Sequence, residues 1–124
     1  MSTLPSHEAA DDPAAWPEEL DALKAAPDHH TLVLENERVR VLDTLIRAGD
    51  KTPVHTHRWP AIMVVLAWSP FVRYDEHGSV MVDSRQVPAM ASPPSTLPSD
   101  PLPPHALENV GDGDIHIISV ELKD

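Results

Sequence analysis

Histidine is the residue type in this chain best suited to chemistry. It occurs at positions 7, 29, 30, 55, 57, 77, 105 and 116 of the 124 residues. His55-Thr56-His57 is the only His-x-His triplet. On an extended strand, residues i and i+2 point to the same face, about 6–7 Å apart. A third imidazole on a neighbouring strand would close a site for a divalent metal, since imidazole suits Zn, Fe, Ni and Cu. A lone triplet arises easily by chance in a chain this rich in histidine. The context adds to it: Gly49 lies six residues before His55, and Asn109 lies four after His105. Pro53 and Pro60 restrict the backbone on either side of the pair. The alternative is a set of hydrogen-bonded histidines in a protein interior. Three neutral imidazoles would leave the metal charge uncompensated. Such a site favours an anionic ligand (hydroxide, an enolate or a substrate carboxylate) and keeps coordination positions open.

The remaining residues offer no evident general base. Arg40, Arg58, Tyr74 and Glu121 could enter a pocket, but surface salt bridges or solvated faces are expected. Trp59, Met63, Val65, Trp68 and Phe71 could line an apolar pocket or form plain core, with Trp59 the first choice because it adjoins the histidine pair. His116 alternates with Ile115 and Ile117. It is expected on the surface or in the core rather than as a fourth ligand. His29 and His30 come after Asp28 at the expected end of a helix, where a cation suits the dipole, and no metal role is expected for them. His77 reads as a turn residue and His7 as part of a tail.

The elements that must hold these residues are mostly strands. Pro17-Glu18-Glu19-Leu20 has helix-start chemistry and Pro27 is a helix stop, which together predict a short helix over 17–25. Strands are expected at 31–34, 38–47, 61–68, 71–75, 80–83 and 115–122. Ala61–Trp68 is continuously apolar, as in a strand buried on both faces, and His77-Gly78 marks a hairpin. Residues 88–104 hold seven of the 14 prolines and are expected to be mostly loop, as a connection or edge rather than a flap. Short strands with frequent turns predict an all-β sandwich or barrel.

Composition narrows the partners. Acidic residues outnumber basic ones 20 to 9, a formal net charge of -11. Neither nucleic acid nor an anionic membrane surface is expected as a partner. With no cysteine, disulfide and thiolate sites are excluded. No apolar run approaches a membrane span, and no signal peptide is evident, so a cytoplasmic location is expected. Residues 1–15 are polar, acidic and Ala/Pro-rich, and are expected to be a flexible tail before a single domain at 16–124.

The motif residues resemble those of small single-domain cupins. Gly49, His55 and His57 match the first cupin motif, and His105 and Asn109 match the second. Asn36–Leu42 is similar to an early strand of many small bacterial cupins, and the resemblance covers about residues 30–123. The Glu of the first motif would fall at Ala61 or Ile62, and Pro101-Leu102-Pro103 replaces the Pro-x-Gly of the second. The resemblance implies a double-stranded β-helix, or jelly-roll barrel, with a short N-terminal helix. It implies a metal site of His55, His57 and His105 without a carboxylate, holding Fe, Ni, Zn or Mn, with Fe favoured. The implied function is a metal-dependent small-molecule enzyme, a three-His dioxygenase acting on a small carboxylate or diketone. The alternative is a metal-containing module that binds or senses a small molecule without catalysis. A homodimer is also implied.

Overall fold

The computed structural model describes residues 12–123. Nine strands come after an N-terminal helical segment: β1 (His30–Glu35), β2 (Val39–Ile46), β3 (His55–His57), β4 (Ala61–Ala67), β5 (Phe71–Asp75), β6 (Val80–Asp83), β7 (Thr96–Ser99), β8 (Leu102–Asn109) and β9 (Ile115–Leu122). They form two antiparallel sheets, ordered β1-β2-β9-β4-β7 and β3-β8-β5-β6. The two sheets face one another across a shared interior.

Strand alternation decides what enters that interior. On β2 the inward set is Arg40, Leu42, Thr44 and Ile46. On β9 it is Ile115, Ile117, Ser119 and Glu121. Because β2 and β9 run antiparallel, Ile46 lies opposite Ile115 and Arg40 opposite Glu121. The barrel therefore has an apolar end and a polar end. At the apolar end Ile46, Phe71 and Ile115 pack with Trp68, Met90 and Leu107. Asn109 closes this end. Its amide donates to the carbonyls of Ile46 and Gly113, and its oxygen accepts from Ser69 Oγ and Gly111 N–H.

Several elements differ from expectation. The helix expected over 17–25 is split into a 3-10 turn (Glu18–Leu20) and the short helix α1 (Ala22–Ala25). Asp21 is extended there (ψ 141°), and its carboxylate caps the second piece by accepting from Leu23 N–H. β4 is not buried on both faces, because Ile62 and Leu66 are exposed. The proline-rich stretch is more ordered than a loop. It contains a 3-10 turn (Pro88–Met90) and the strand β7, while Pro103 and Pro104 lie in β8. Pro98 is tolerated because β7 is a sheet edge. The His77-Gly78 hairpin is present, with Asp75 accepting from His77 and Ser79 N–H and Gly78 at φ 86°. Of the expected tail, residues 1–11 lie outside the described residues. Pro13–Ala15 form a 3-10 turn capped by Asp12, beside Arg58 and Trp59.

Candidate metal centre

His55 and His105 are direct cross-strand partners on β3 and β8, with ring centroids 4.4 Å apart. His57 lies 5.1 Å from His55 and 5.9 Å from His105. The three sequence-derived histidines thus meet inside the barrel. A fourth joins them: His30, at the start of β1, lies 4.8 Å from His55 and 5.1 Å from His57 by ring centroid. One ligand atom from each of His30, His55 and His57 falls within 4.8 Å of the others, so this trio can hold a metal ion.

All four rings are tethered in the same way. Nδ1 of His55 donates to the Pro53 carbonyl at 2.8 Å, and Nδ1 of His105 to the Pro103 carbonyl at 2.7 Å. Each is a Pro-x-His step that turns the ring back onto its own backbone. Nδ1 of His30 donates to the Ala26 carbonyl at the end of α1 (3.0 Å), and Nδ1 of His57 to Glu121 Oε2 (3.0 Å). With the proton fixed on Nδ1, each neutral ring carries its lone pair on Nε2. No Nε2 of the four hydrogen-bonds another described residue. Ligating histidines are commonly oriented by an acceptor on the other nitrogen, so this donor set fits a divalent metal.

Burial sets the protonation of these rings. It pushes His30 down to about 4 and His105 down to about 3, with the neighbouring His57 adding to both. His55 is driven lower still by burial and by His105. Neutral imidazole, the ligating form, is therefore held well below the ordinary histidine range for these three.

Glu121 and Arg40 are the charges that sequence reasoning misplaced. Both are buried. Arg40 Nε donates to Glu121 Oε1 at 2.7 Å, and its two terminal nitrogens donate to both oxygens of Asp21 at 2.9 Å. Burial pushes the Asp21 carboxyl up, but its bonds to Arg40 prevail and hold it below the usual range. The chain Asp21–Arg40–Glu121–His57 links the α1 cap to the site and carries one net negative charge. That charge partly offsets a cation at the histidines.

The cavity beside the rings measures about 110 Å³. Trp59, Met63, Trp68 and Phe71 line it, as the sequence suggested, whereas Val65 does not. Arg73 also lines it. Glu121 is the only carboxylate among the described lining residues. Tyr74 instead bonds Glu108. Arg58 stacks on Trp59 outside the cavity. His116 faces away and pairs with Asp43 at 2.9 Å. His29 also lies outside the cluster, 3.5 Å from Asp50. His7 lies outside the described residues.

No protein-family model matches the chain, and no curated protein matches it. Solved structures do. A cupin domain from Bordetella pertussis Tohama I is similar at 19% identity and TM-score 0.57, over 77% of this chain and 92% of that one. An RmlC-like cupin family protein from Methanocaldococcus jannaschii matches at 8% identity and TM-score 0.51, over 75% and 77%. The fold is the cupin double-stranded β-helix. The polyketide cyclase RemF from Streptomyces resistomycificus shares that cupin fold at 14% identity and TM-score 0.50, over 84% of this chain and 72% of that one. At these identities the likeness concerns fold alone. Within the cupin barrel, His30 and Glu121 are the site residues that motif spacing did not reveal. No helix among the described residues is long and apolar enough to cross a membrane.

Proposed function

We propose that this cupin-fold protein is a metal-dependent small-molecule enzyme. Its divalent metal, iron by preference over Ni, Zn or Mn, is held by His55, His57 and His105, with His30 as a further ligand. The carrying observation is that four imidazoles have Nδ1 tied back and Nε2 free beside a cavity. A bound metal would supply Lewis acidity and, if iron, oxygen chemistry. The residues supply the rest. Pro53, Pro103 and Ala26 fix three rings through their carbonyls, and Glu121 fixes and polarises His57. Trp59, Met63 and Phe71 give the cavity apolar walls that limit water. The reaction class we favour is three-His dioxygenation of a small carboxylate or diketone.

One observation favours a second reading, a binding or sensing module. Glu121, the sole carboxylate among the described lining residues, is already engaged by Arg40 and His57, which leaves no free carboxylate base among them. The same proposal carries a cytoplasmic homodimer. Leu32, Val33 and Leu34 on the edge strand β1 are exposed and offer an apolar face for a second copy. The deciding experiment is elemental analysis of protein purified without an affinity tag, then oxygen uptake across small carboxylates and diketones. Stoichiometric iron with substrate-dependent uptake supports the enzyme. Metal and micromolar ligand binding without turnover support the module. Absence of any transition metal after loading overturns both.

A further inference from the structure

Arg73 is the half-buried charge that the histidine centre leaves unexplained. It stands on β5, opposite Leu107 of β8 and Val82 of β6. With Phe71, its neighbour on the same strand face, it lines the cavity that His55, His57 and His105 also line. Its Nε is shut off from solvent and has no hydrogen-bond partner among the described residues. Its guanidinium makes no hydrogen bond or ion pair with any other described residue. The Phe71 ring lies 5.8 Å from the guanidinium carbon.

Arg40 supplies the contrast. Arg40 is buried, and it satisfies its fork with three hydrogen bonds to two carboxylates. Arg73 has the same five donors, and its buried Nε meets no acceptor among the described residues. A buried charged donor without an acceptor is costly, and natural interiors rarely keep one without a use. Among the described residues that line the cavity, no carboxylate is spare to serve it. An acceptor from outside the chain would complete the site, and the planar fork suits a carboxylate best.

Size limits that acceptor. A cavity of about 150 Å³ holds benzene. One of about 110 Å³ therefore takes roughly four or five non-hydrogen atoms. We propose that Arg73 binds the carboxylate of a two- or three-carbon acid in the barrel, which selects carboxylates over neutral diketones as ligands. The proposal rests on the metal-centre reading only in that the other end of the acid would face the histidine Nε2 atoms.

Calorimetric titration with propionate and with its neutral isostere propionamide tests this. The full chain is used, metal-loaded and after chelator treatment, with metal content measured on each sample. The wild type should bind propionate at least about tenfold tighter than propionamide, with or without metal, as a charge-assisted pair requires. Arg73→Gln should bind the two equally weakly while keeping its metal, and Arg73→Lys should recover part of the preference. Circular dichroism reports whether each variant folds. Should Arg73→Gln fail to fold, the wild-type comparison and Arg73→Lys still decide. The proposal is overturned by equal affinity of the wild type for both probes, by no propionate binding, by a preference that vanishes with the metal, or by a preference that survives in folded Arg73→Gln. A protein that takes up no metal yet prefers propionate would instead sink the metal-centre reading and leave Arg73 supported.

Discussion

Glu121 lies directly across the sheet from Ala61, its register partner on β4, and reaches His57 Nδ1 at 3.0 Å. Position 61 is one of the two where the first cupin motif would place its carboxylate. A carboxylate is therefore present, supplied by the strand alongside. It meets the back of a histidine ring rather than the open side. Its charge is shared with Arg40, which in turn is held by Asp21. Glu121→Gln keeps the shape and removes the charge. Loss of such an orienting partner typically lowers metal affinity 10–100-fold. We expect that drop in a competitive chelator titration, with the strand content unchanged by circular dichroism. Unchanged affinity would show that the pair serves only the fold.

The ligand assignment makes a graded prediction. His57→Ala and His105→Ala should purify with little metal. His30→Ala should retain some, because three other imidazoles remain around the cavity. His77→Ala, in the exposed β5–β6 turn, should keep the full complement. A chelator should lower the Tm of the wild type and hardly move that of His57→Ala, since only binding to the native state stabilises it. Equal metal content in all four variants would remove the basis for the metal reading.

The strands and the inward pairing of His55 with His57 were legible because both rest on local patterns. Two-residue alternation marks half-buried strands, and His-x-His places two rings on one face whatever the rest of the chain does. His30 was not legible in the same way. Beside Asp28 and His29, after Pro27, it reads as a helix-terminal cation, yet β1 begins at His30 and turns it inward opposite Thr44. Arg40 and Glu121 were misplaced by the expectation that charges stay in water. The alternation Ile115, Ile117, Ser119, Glu121 carried the correct signal. What hid it was a compensation visible only in three dimensions. Three charges from residues 21, 40 and 121 pair with one another off solvent, and no local pattern announces such a pairing.

Asn109 illustrates a motif residue whose role is structural. It is fully buried and uses both donors and both lone-pair directions. Asn109→Ala strands the buried Ile46 carbonyl and the buried Ser69 hydroxyl. Each unsatisfied buried group costs about 1–3 kcal/mol. A stability loss of about 3 kcal/mol or more is expected in urea denaturation. Gly111→Ala should be comparably harmful, because a Cβ there would lie 2.5 Å from Pro70 Cδ and closer still to Ser69 Oγ. A loss below about 1 kcal/mol in both variants would mean that this corner relaxes freely.

Acid should destabilise the metal-free protein in a window set by the buried histidines. In the unfolded chain each takes up a proton near pH 6.5. In the folded chain His30 resists until about 4 and His105 until about 3. Between those limits the unfolded state binds more protons, so stability falls as pH falls. The loss begins near pH 6.5 and grows by at most about 1.4 kcal/mol per pH unit for each such group. For His30 it levels off near pH 4, and for His105 near pH 3. Well above pH 6.5 these residues contribute no pH dependence. Replacing His105 with Gln removes one titrating group and should flatten the slope between pH 6.5 and 4, even where it lowers stability overall. Urea denaturation of chelated wild type and His105→Gln at half-unit pH steps measures both slopes. Parallel curves for the two proteins would mean that His105 is protonated equally in the folded and unfolded states, and that its ring is not held neutral by the barrel.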